Sequence, residues 1–222
     1  MRRRRSQRQS RRPPRKRDLS ETWEPKTYVG RMIQEGRISS IEDVFAEGLR
    51  IRESEIVEVL LPDLQEEVIN INLVQKQTDA GERSRFKAEV AVGNGSGYIG
   101  LGSGKARQVR TAIEKAATNA RLNIAIVRRG CGSWECGCGR PHSLLFRTRG
   151  KHGGVEVDLI PGPRGLGLVA NEPAKLILRL AGIQDCWTKS FGSTRTIPSF
   201  SYAVLDALKK THSLVTPEDW VR

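Results

Sequence analysis

Residues 92–120 constrain this chain more than any other stretch. They read VGNGSGYIGLGSGKARQVRTAIEKAATNA, and six of the twelve residues in 93–104 are glycine. Glycine lets a backbone take positive φ and come close to a bulky partner. A helix that opens just after such a loop presents unpaired N–H groups and the positive end of its dipole. The segment therefore asks for an anion, either a nucleotide cofactor or a nucleic-acid backbone. Asn94-Gly95 between two alternating runs is also a strong hairpin signal, and a bare hairpin tip would need no ligand at all.

Both nucleotide patterns fail on spacing. Gly95, Gly97 and Gly100 fit G-x-G-x-x-G, but residues 98–101 alternate like a strand where the helix should begin, and no acid ends a second strand at the required distance. Gly102-Ser103-Gly104-Lys105 resembles the end of a P-loop. However, Ile99 and Ala106 stand where glycine and Ser or Thr are required, so nothing would hold magnesium. No nucleotide cofactor is expected.

Charge favours the polymer. Net charge is +13 over 222 residues. Residues 1–17 hold ten Arg or Lys and no acid; 18–80 hold 14 acidic against 6 basic; 81–151 hold 14 basic against 4 acidic; 152–222 hold 8 basic and 7 acidic. The glycine stretch and its helix thus lie in a basic block, the footprint of polyanion binding, although a charge run is often only a solvated face. The run at 1–17 lacks the apolar segment of a secretory leader and the apolar face of a transit helix. It is expected to be disordered until it meets RNA or another anionic surface. No window approaches the roughly 18 apolar residues of a membrane span.

The pattern predicts an extension over 18–36 anchored by Trp23 and Tyr28, then a short helix opened by a capping box at Ser39 and Glu42. Strands are expected over 68–74, with Ile69, Ile71 and Leu73 on one face, over 84–92, and over 98–101. A helix follows from about Ala106 with Val109, Ile113, Ala116 and Ala120 as its apolar stripe. This reads as a three-stranded antiparallel sheet with helices on one side. The second half reads as α/β and separate from the first. Its expected strands are 124–129, 143–149, 154–160 and 185–191; its helices are 173–181 and 197–211; a last capped turn is expected at 216–220.

Three long motifs make the chain resemble a known family: GERSRFKAEVAVGNGSGYIGLGSGKARQVRTAIEKA at 81–116, VEVDLIPGPRGLGLVA at 155–170 and LAGIQDCWTKSFGSTRT at 180–196. It is similar to the universal S-five family of small-subunit ribosomal proteins, of the archaeal and eukaryotic type, over about 39–208. The resemblance implies an α+β fold: a double-stranded-RNA-binding-like α-β-β-β-α domain at 39–123, then an α/β domain of the ribosomal S-five domain-two type at 124–222, with a basic disordered arm and extension at 1–38. It implies a structural protein of the small ribosomal subunit near the decoding region and the channel through which messenger RNA enters. There the family supports assembly and translational fidelity. Its neighbours would be small-subunit ribosomal RNA, ribosomal proteins of the S-four, S-three, S-two and S-eight families, and messenger RNA nearby, with no membrane; its location would be cytoplasmic and ribosome-bound. A free RNA-binding regulator or assembly factor is the alternative.

Carried over residue by residue, the loop at 75–85 matches the family's RNA-contacting hairpin loop, with Lys76, Arg83 and Arg85. The segment 93–105 matches its glycine loop, with Lys105 and Arg107 facing RNA. Arg164 and Arg195 sit in the matching loops of the second domain. Lys87, Asn94, Gly95, Gly97, Tyr98 and Arg110 complete the expected contact set. Gly97→Val is expected to damage RNA docking more than stability.

Cys131, Cys136, Cys138 and His142 form C-x4-C-x-C-x3-H within a glycine-rich loop at 130–142, outside the family's common core. Three thiolates and an imidazole suit a tetrahedral structural zinc. Three reduced thiols in a flexible loop are the plain alternative, and a disulfide a third. Catalytic zinc is not expected: neither H-x-E nor P-C-x-x-C is present, and Glu135 has no histidine two residues before it. Cys186 reads as a buried strand residue.

Overall fold

The computed structural model describes residues 23–214. The basic run at 1–17 and the turn expected at 216–220 lie outside the described residues. The first sheet is antiparallel, in the order β1 (Gln65–Thr78), β2 (Gly81–Gly93), β3 (Tyr98–Ala106), β4 (Ala125–Ile126). Helices α1 (Tyr28–Gln34), α2 (Ile41–Ala46) and α3 (Ser54–Leu60) precede it, and α4 (Val109–Leu122) follows β3. The second sheet has the order β5 (Thr148–His152), β6 (Val155–Pro161), β8 (Cys186–Gly192), β7 (Leu168–Val169); only β7 and β8 run parallel. Helices α5 (Glu172–Leu180) and α6 (Ile197–Lys209) complete it. The α+β class and the α-β-β-β-α order of the first part are as expected.

Several boundaries move for local reasons. The capping box is Ser40 with Asp43, one residue along from the expected pair: each side chain bonds the other's backbone N–H. Tyr28 is 67 % exposed and anchors nothing; Trp23 does, donating to Glu53 at 3.1 Å. The strand expected at 143–149 starts instead at Thr148, and the one expected at 124–129 shrinks to Ala125–Ile126 and joins the first sheet beside β3.

The helix expected from Ala106 begins at Val109, because β3 stays paired to β2 as far as Ala106. Gly100, Gly102 and Gly104 alternate along β3 and so share one face. A Cβ on Gly104 would lie 2.5 Å from the carbonyl oxygen of Ala112, and one on Gly100 or Gly102 would run into the backbone at Ala120 or Ala116. Ala112, Ala116 and Ala120 are fully buried against them. The bulky partner of these three glycines is therefore the chain's own helix, held at backbone distance.

The opposite face of the first sheet corrects the expectation of a separate second half. Ala91, Ile99 and Leu101 enter one apolar cluster with Leu180, Phe200 and Leu208. The two halves share a core, and the second covers the side of the first sheet that α4 does not. A third cluster gathers α1–α3 around Ile41, Val44 and Ile56 with Ile124. Among the described residues no helix is long and apolar enough to cross a membrane.

Candidate nucleic-acid interface and metal-ligating loop

Strand register places the basic side chains. A bulge between Val68 and Asn70 resets the pairing, after which Asn72 faces Lys87, Val74 faces Arg85 and Lys76 faces Arg83. In the next ladder Lys87 stands opposite Lys105. Direct cross-strand partners share a face, and the intervening residues Ala88, Val90 and Val92 look toward α4. Lys76, Arg83, Arg85, Lys87 and Lys105 therefore project together from the face away from α4. Like charges directly opposite one another are unfavourable. Lys87 is relieved by Glu89 at 3.1 Å, itself buried; Lys76 and Arg83 have no carboxylate partner among the described residues.

The other expected contacts fall elsewhere. Arg107 is exposed in the link from β3 to α4, and Arg110 is exposed in the helix's first turn, ion-paired to Glu114 at 3.1 Å. That turn carries no acid and no side-chain cap, so its N–H groups and dipole are uncompensated. Arg164 lies in the loop after β6 and Arg195 in the loop after β8. Pro161 pairs with the start of β8 and Arg195 follows its end, so β8 holds the two arginines apart by its length, about 20 Å.

The tip of the β2–β3 hairpin meets protein. Gly95 N–H donates to Leu180 O at 2.8 Å, and the Arg129 guanidinium donates to Gly95 O at 3.2 Å and Ser96 O at 3.0 Å. Asn94 Oδ1 accepts from the N–H groups of Ser96 and Tyr98. Tyr98 donates to Glu42 at 3.1 Å, and burial, then that carboxylate, push its hydroxyl up to about 12. Gly97 is buried at φ +108, and a Cβ there would lie 3.0 Å from Val127 O. The expectation for Gly97→Val is thus corrected: valine would strain the turn and press on Val127, so the fold itself suffers.

The Cys/His loop is gathered. The ligand atoms of Cys131, Cys136, Cys138 and His142 all lie within 4.8 Å of one another. Cys131 Sγ and Cys138 Sγ are 3.6 Å apart, and Cys136 Sγ is 3.9 Å from His142 Nε2. His142 Nδ1 faces Asp185 Oδ2 at 2.8 Å, so its other nitrogen points at the thiols. The hydrogen bond to His142 holds the Cys131 thiol below its ordinary value. Cys136 is lowered to about 6, first by the Arg164 backbone N–H and then by that of Cys138. These two thiols convert readily to the thiolates that bind metal; Cys138, against the Arg140 N–H, is held above its ordinary value by burial and by Cys136 and Cys131.

The family pattern described as ribosomal protein S5, N-terminal domain, matches residues 64–128, and that described as ribosomal protein S5, C-terminal domain, matches residues 150–220. The chain belongs to the ribosomal protein S5 family. The small ribosomal subunit protein uS5 of Pyrobaculum calidifontis is 60 % identical over 195 residues, covering 88 % of this chain and 96 % of that one. Its counterpart in Thermofilum pendens is 54 % identical over 202 residues, covering 91 % and 100 %. That of Aeropyrum pernix is 58 % identical over 200 residues, covering 90 % and 92 %. The family is a structural one, not a family of enzymes.

Set against the S5 patterns, the Cys/His loop falls between the two matched segments. Two residues escaped sequence reasoning. Asp185 is 43 positions from the histidine it orients, and no local spacing announces it. Arg129 reads as one more member of a basic block, yet it ties the hairpin tip to Gly182 and the second half. Its only sequence signal is its place just after the first sheet ends.

Proposed function

We propose that this chain is a structural constituent of the small ribosomal subunit that binds small-subunit ribosomal RNA. It would sit near the decoding region and the channel through which messenger RNA enters, and support assembly and translational fidelity. The observation that carries the reading is the Lys76–Arg83 pair: two cations held directly opposite each other with no acid between them, on the same face as Arg85, Lys87 and Lys105. A phosphate lying across that face turns an unfavourable pairing into a clamp. Arg107, Arg110, Arg164, Arg195 and the exposed hairpin tip around Gly95 extend the contact. Membership of the S5 family supports the reading, as do relatives named small ribosomal subunit protein uS5. Ribosomal proteins of the S-four, S-three, S-two and S-eight families would be the neighbours, in a cytoplasmic ribosome. In a cell extract the protein should sediment with small subunits through moderate salt. A free pool at the top of the gradient would instead favour a free regulator or assembly factor.

For the loop at 130–142 we infer a structural zinc ion held by Cys131, Cys136, Cys138 and His142. Tetrahedral zinc with sulfur at about 2.3 Å and nitrogen at about 2.0–2.1 Å places its ligand atoms about 3.6–3.8 Å apart. The sulfur pair at 3.6 Å and the sulfur–nitrogen pair at 3.9 Å fit that cage. Four protein ligands leave no open position, so the ion would brace the loop rather than activate water. Metal analysis should find one zinc per chain and a loss in Cys136→Ser; no stoichiometric metal would leave three reduced thiols as the answer.

A further inference from the structure

The second sheet has one covered face and one open face. Val155, Val157 and Leu159 of β6 are buried, and a Cβ on Gly150 of β5 would run into Ala203 and Ala207 of α6. The intervening side chains point the other way. Across the strands, Lys151, Glu156 and Phe191 form one row, and Arg149, Asp158 and Lys189 the next. Trp187 follows in the third row, between Ile160 and Val169. Trp187 is 43 % exposed and Phe191 40 %, and both stand on β8, an inner strand. Two large half-exposed aromatics near the two ends of an inner strand, with Lys189 between them, give this open face two flat apolar footings for a partner.

Charge tells what covers it. Asp158 is 1 % exposed and already held by Arg147 at 2.5 Å and Arg149 at 3.4 Å. Glu156 is held by Arg149 and by Lys151 at 2.9 Å. Both acids are therefore ion-paired to cations of this face, although Asp158 Oδ1 accepts no hydrogen bond. Lys189 has no carboxylate partner among the described residues; its ammonium lies 5.1 Å from the Phe191 ring centre, and the Arg149 guanidinium 5.7 Å from the same ring. Four cations against two ion-paired acids leave the face positive. Protein interfaces are depleted in lysine. Exposed aromatics on a four-stranded sheet, rimmed by cations, fit unstacked bases and their phosphates.

We propose that the open face of the β5–β6–β8–β7 sheet binds a single-stranded RNA segment, with bases stacked on Trp187 and Phe191 and phosphates on Lys189 and Arg149. This goes beyond the contacts proposed for ribosomal RNA above. It uses none of their cations, so either reading can fail alone.

The test uses the full chain and a bromouridine-substituted, unstructured oligonucleotide of roughly 12 nucleotides. After irradiation, cross-linked peptides are mapped. Cross-links are expected at Trp187 and Phe191; oligonucleotide held by the basic run at 1–17 marks that run instead and is scored separately. At sub-saturating oligonucleotide, Trp187→Ala should lower the yield at Phe191 about 10-fold, and Trp187→Phe should restore most of it. Lys189→Ala should reduce the salt dependence of that yield by about 0.7 in the log–log slope. Cross-links confined to other segments, or an unchanged Phe191 yield in Trp187→Ala, overturn the inference. So does a cross-link from Trp187 to another protein in assembled subunits. Sedimentation with small subunits but no mark on these aromatics rejects this inference alone.

Discussion

Asp185 holds His142 by one oxygen and the 161–167 loop by the other: Oδ2 lies 2.8 Å from His142 Nδ1, and Oδ1 accepts the Gly167 N–H at 2.8 Å. Both side chains are buried. The Arg164 backbone N–H, from the same loop, reaches Cys136. The Cys/His loop and the loop that presents Arg164 are therefore one mechanical unit, and a metal bound in the first would set the position of the second.

Asp185→Asn tests that unit with little change of shape. An amide cannot hold the imidazole as a carboxylate does, and losing such an outer partner typically weakens metal binding by about 10- to 100-fold. Competition with a chromogenic chelator reads this directly. An unchanged zinc affinity would show that the carboxylate does not orient the ligand.

The four thiols should separate by reactivity. Burial pushes Cys186 up to about 12, so it is protonated and shielded at pH 8. In metal-free native protein a thiol-specific chromogenic reagent should react quickly with Cys131 and Cys136, more slowly with Cys138, which, against the Arg140 N–H, burial and its neighbours Cys136 and Cys131 hold above its ordinary value, and slowest with Cys186. All four should react in denaturant. Zinc should protect the first three and leave the slowest one unchanged.

Two glycine substitutions should part company. Alanine at Gly102 would place a methyl group against the backbone of Ala116 and Ala120, an overpacking expected to destabilise by about 1–3 kcal/mol. Alanine at Gly95 meets nothing within 4 Å and suffers only its φ of +67, roughly 1–2 kcal/mol. Other side chains should widen the gap: Gly102→Val should fail to fold, while Gly95→Asn, a residue that tolerates positive φ, should be close to wild type. Denaturant midpoints decide it.

Much of this fold was legible because the signals were local. Alternation in β2 and β6, the Asn94-Gly95 turn and the prolines near the starts of α5 and α6 each fix their own neighbourhood. What could not be read was what each surface faces. Gly100, Gly102 and Gly104 announce a close approach, but only the fold shows that the partner is α4. Ala91, Ile99 and Leu101 alternate like any strand face, and only the later elements, chief among them α5 and α6 more than 70 residues on, explain their burial. The Cys/His cluster was legible because its members lie within twelve residues; Asp185 was not, because an acid that orients a histidine from 43 positions away follows no spacing rule.

Tyr98 predicts an alkaline limit. Burial and Glu42 raise its hydroxyl to about 12 in the folded chain, whereas an unfolded tyrosine ionises near its usual value of about 10. The folded state thus keeps a proton that the unfolded state loses. The stability this confers is complete below about pH 10 and falls as pH rises toward 12. Tyr98→Phe should lack that fall. Denaturant midpoints for both proteins at about pH 9 and about pH 11 should therefore converge at the higher value.

The Lys76–Arg83 pair predicts opposite signs for binding and for stability. In the free protein the two cations oppose each other across the ladder, so Lys76→Gln should stabilise it by roughly 0.2–1 kcal/mol, and more at low salt where screening is weak. In RNA binding the same change removes a phosphate contact. The slope of log affinity against log salt for a double-stranded ribosomal RNA fragment should fall by about 0.9, with Arg83→Gln behaving alike. Lys87→Gln should differ, since Lys87 already neutralises buried Glu89; removing it should destabilise the fold and change the slope less. A Lys76 variant that loses both stability and affinity would show that the pair serves the hairpin rather than RNA.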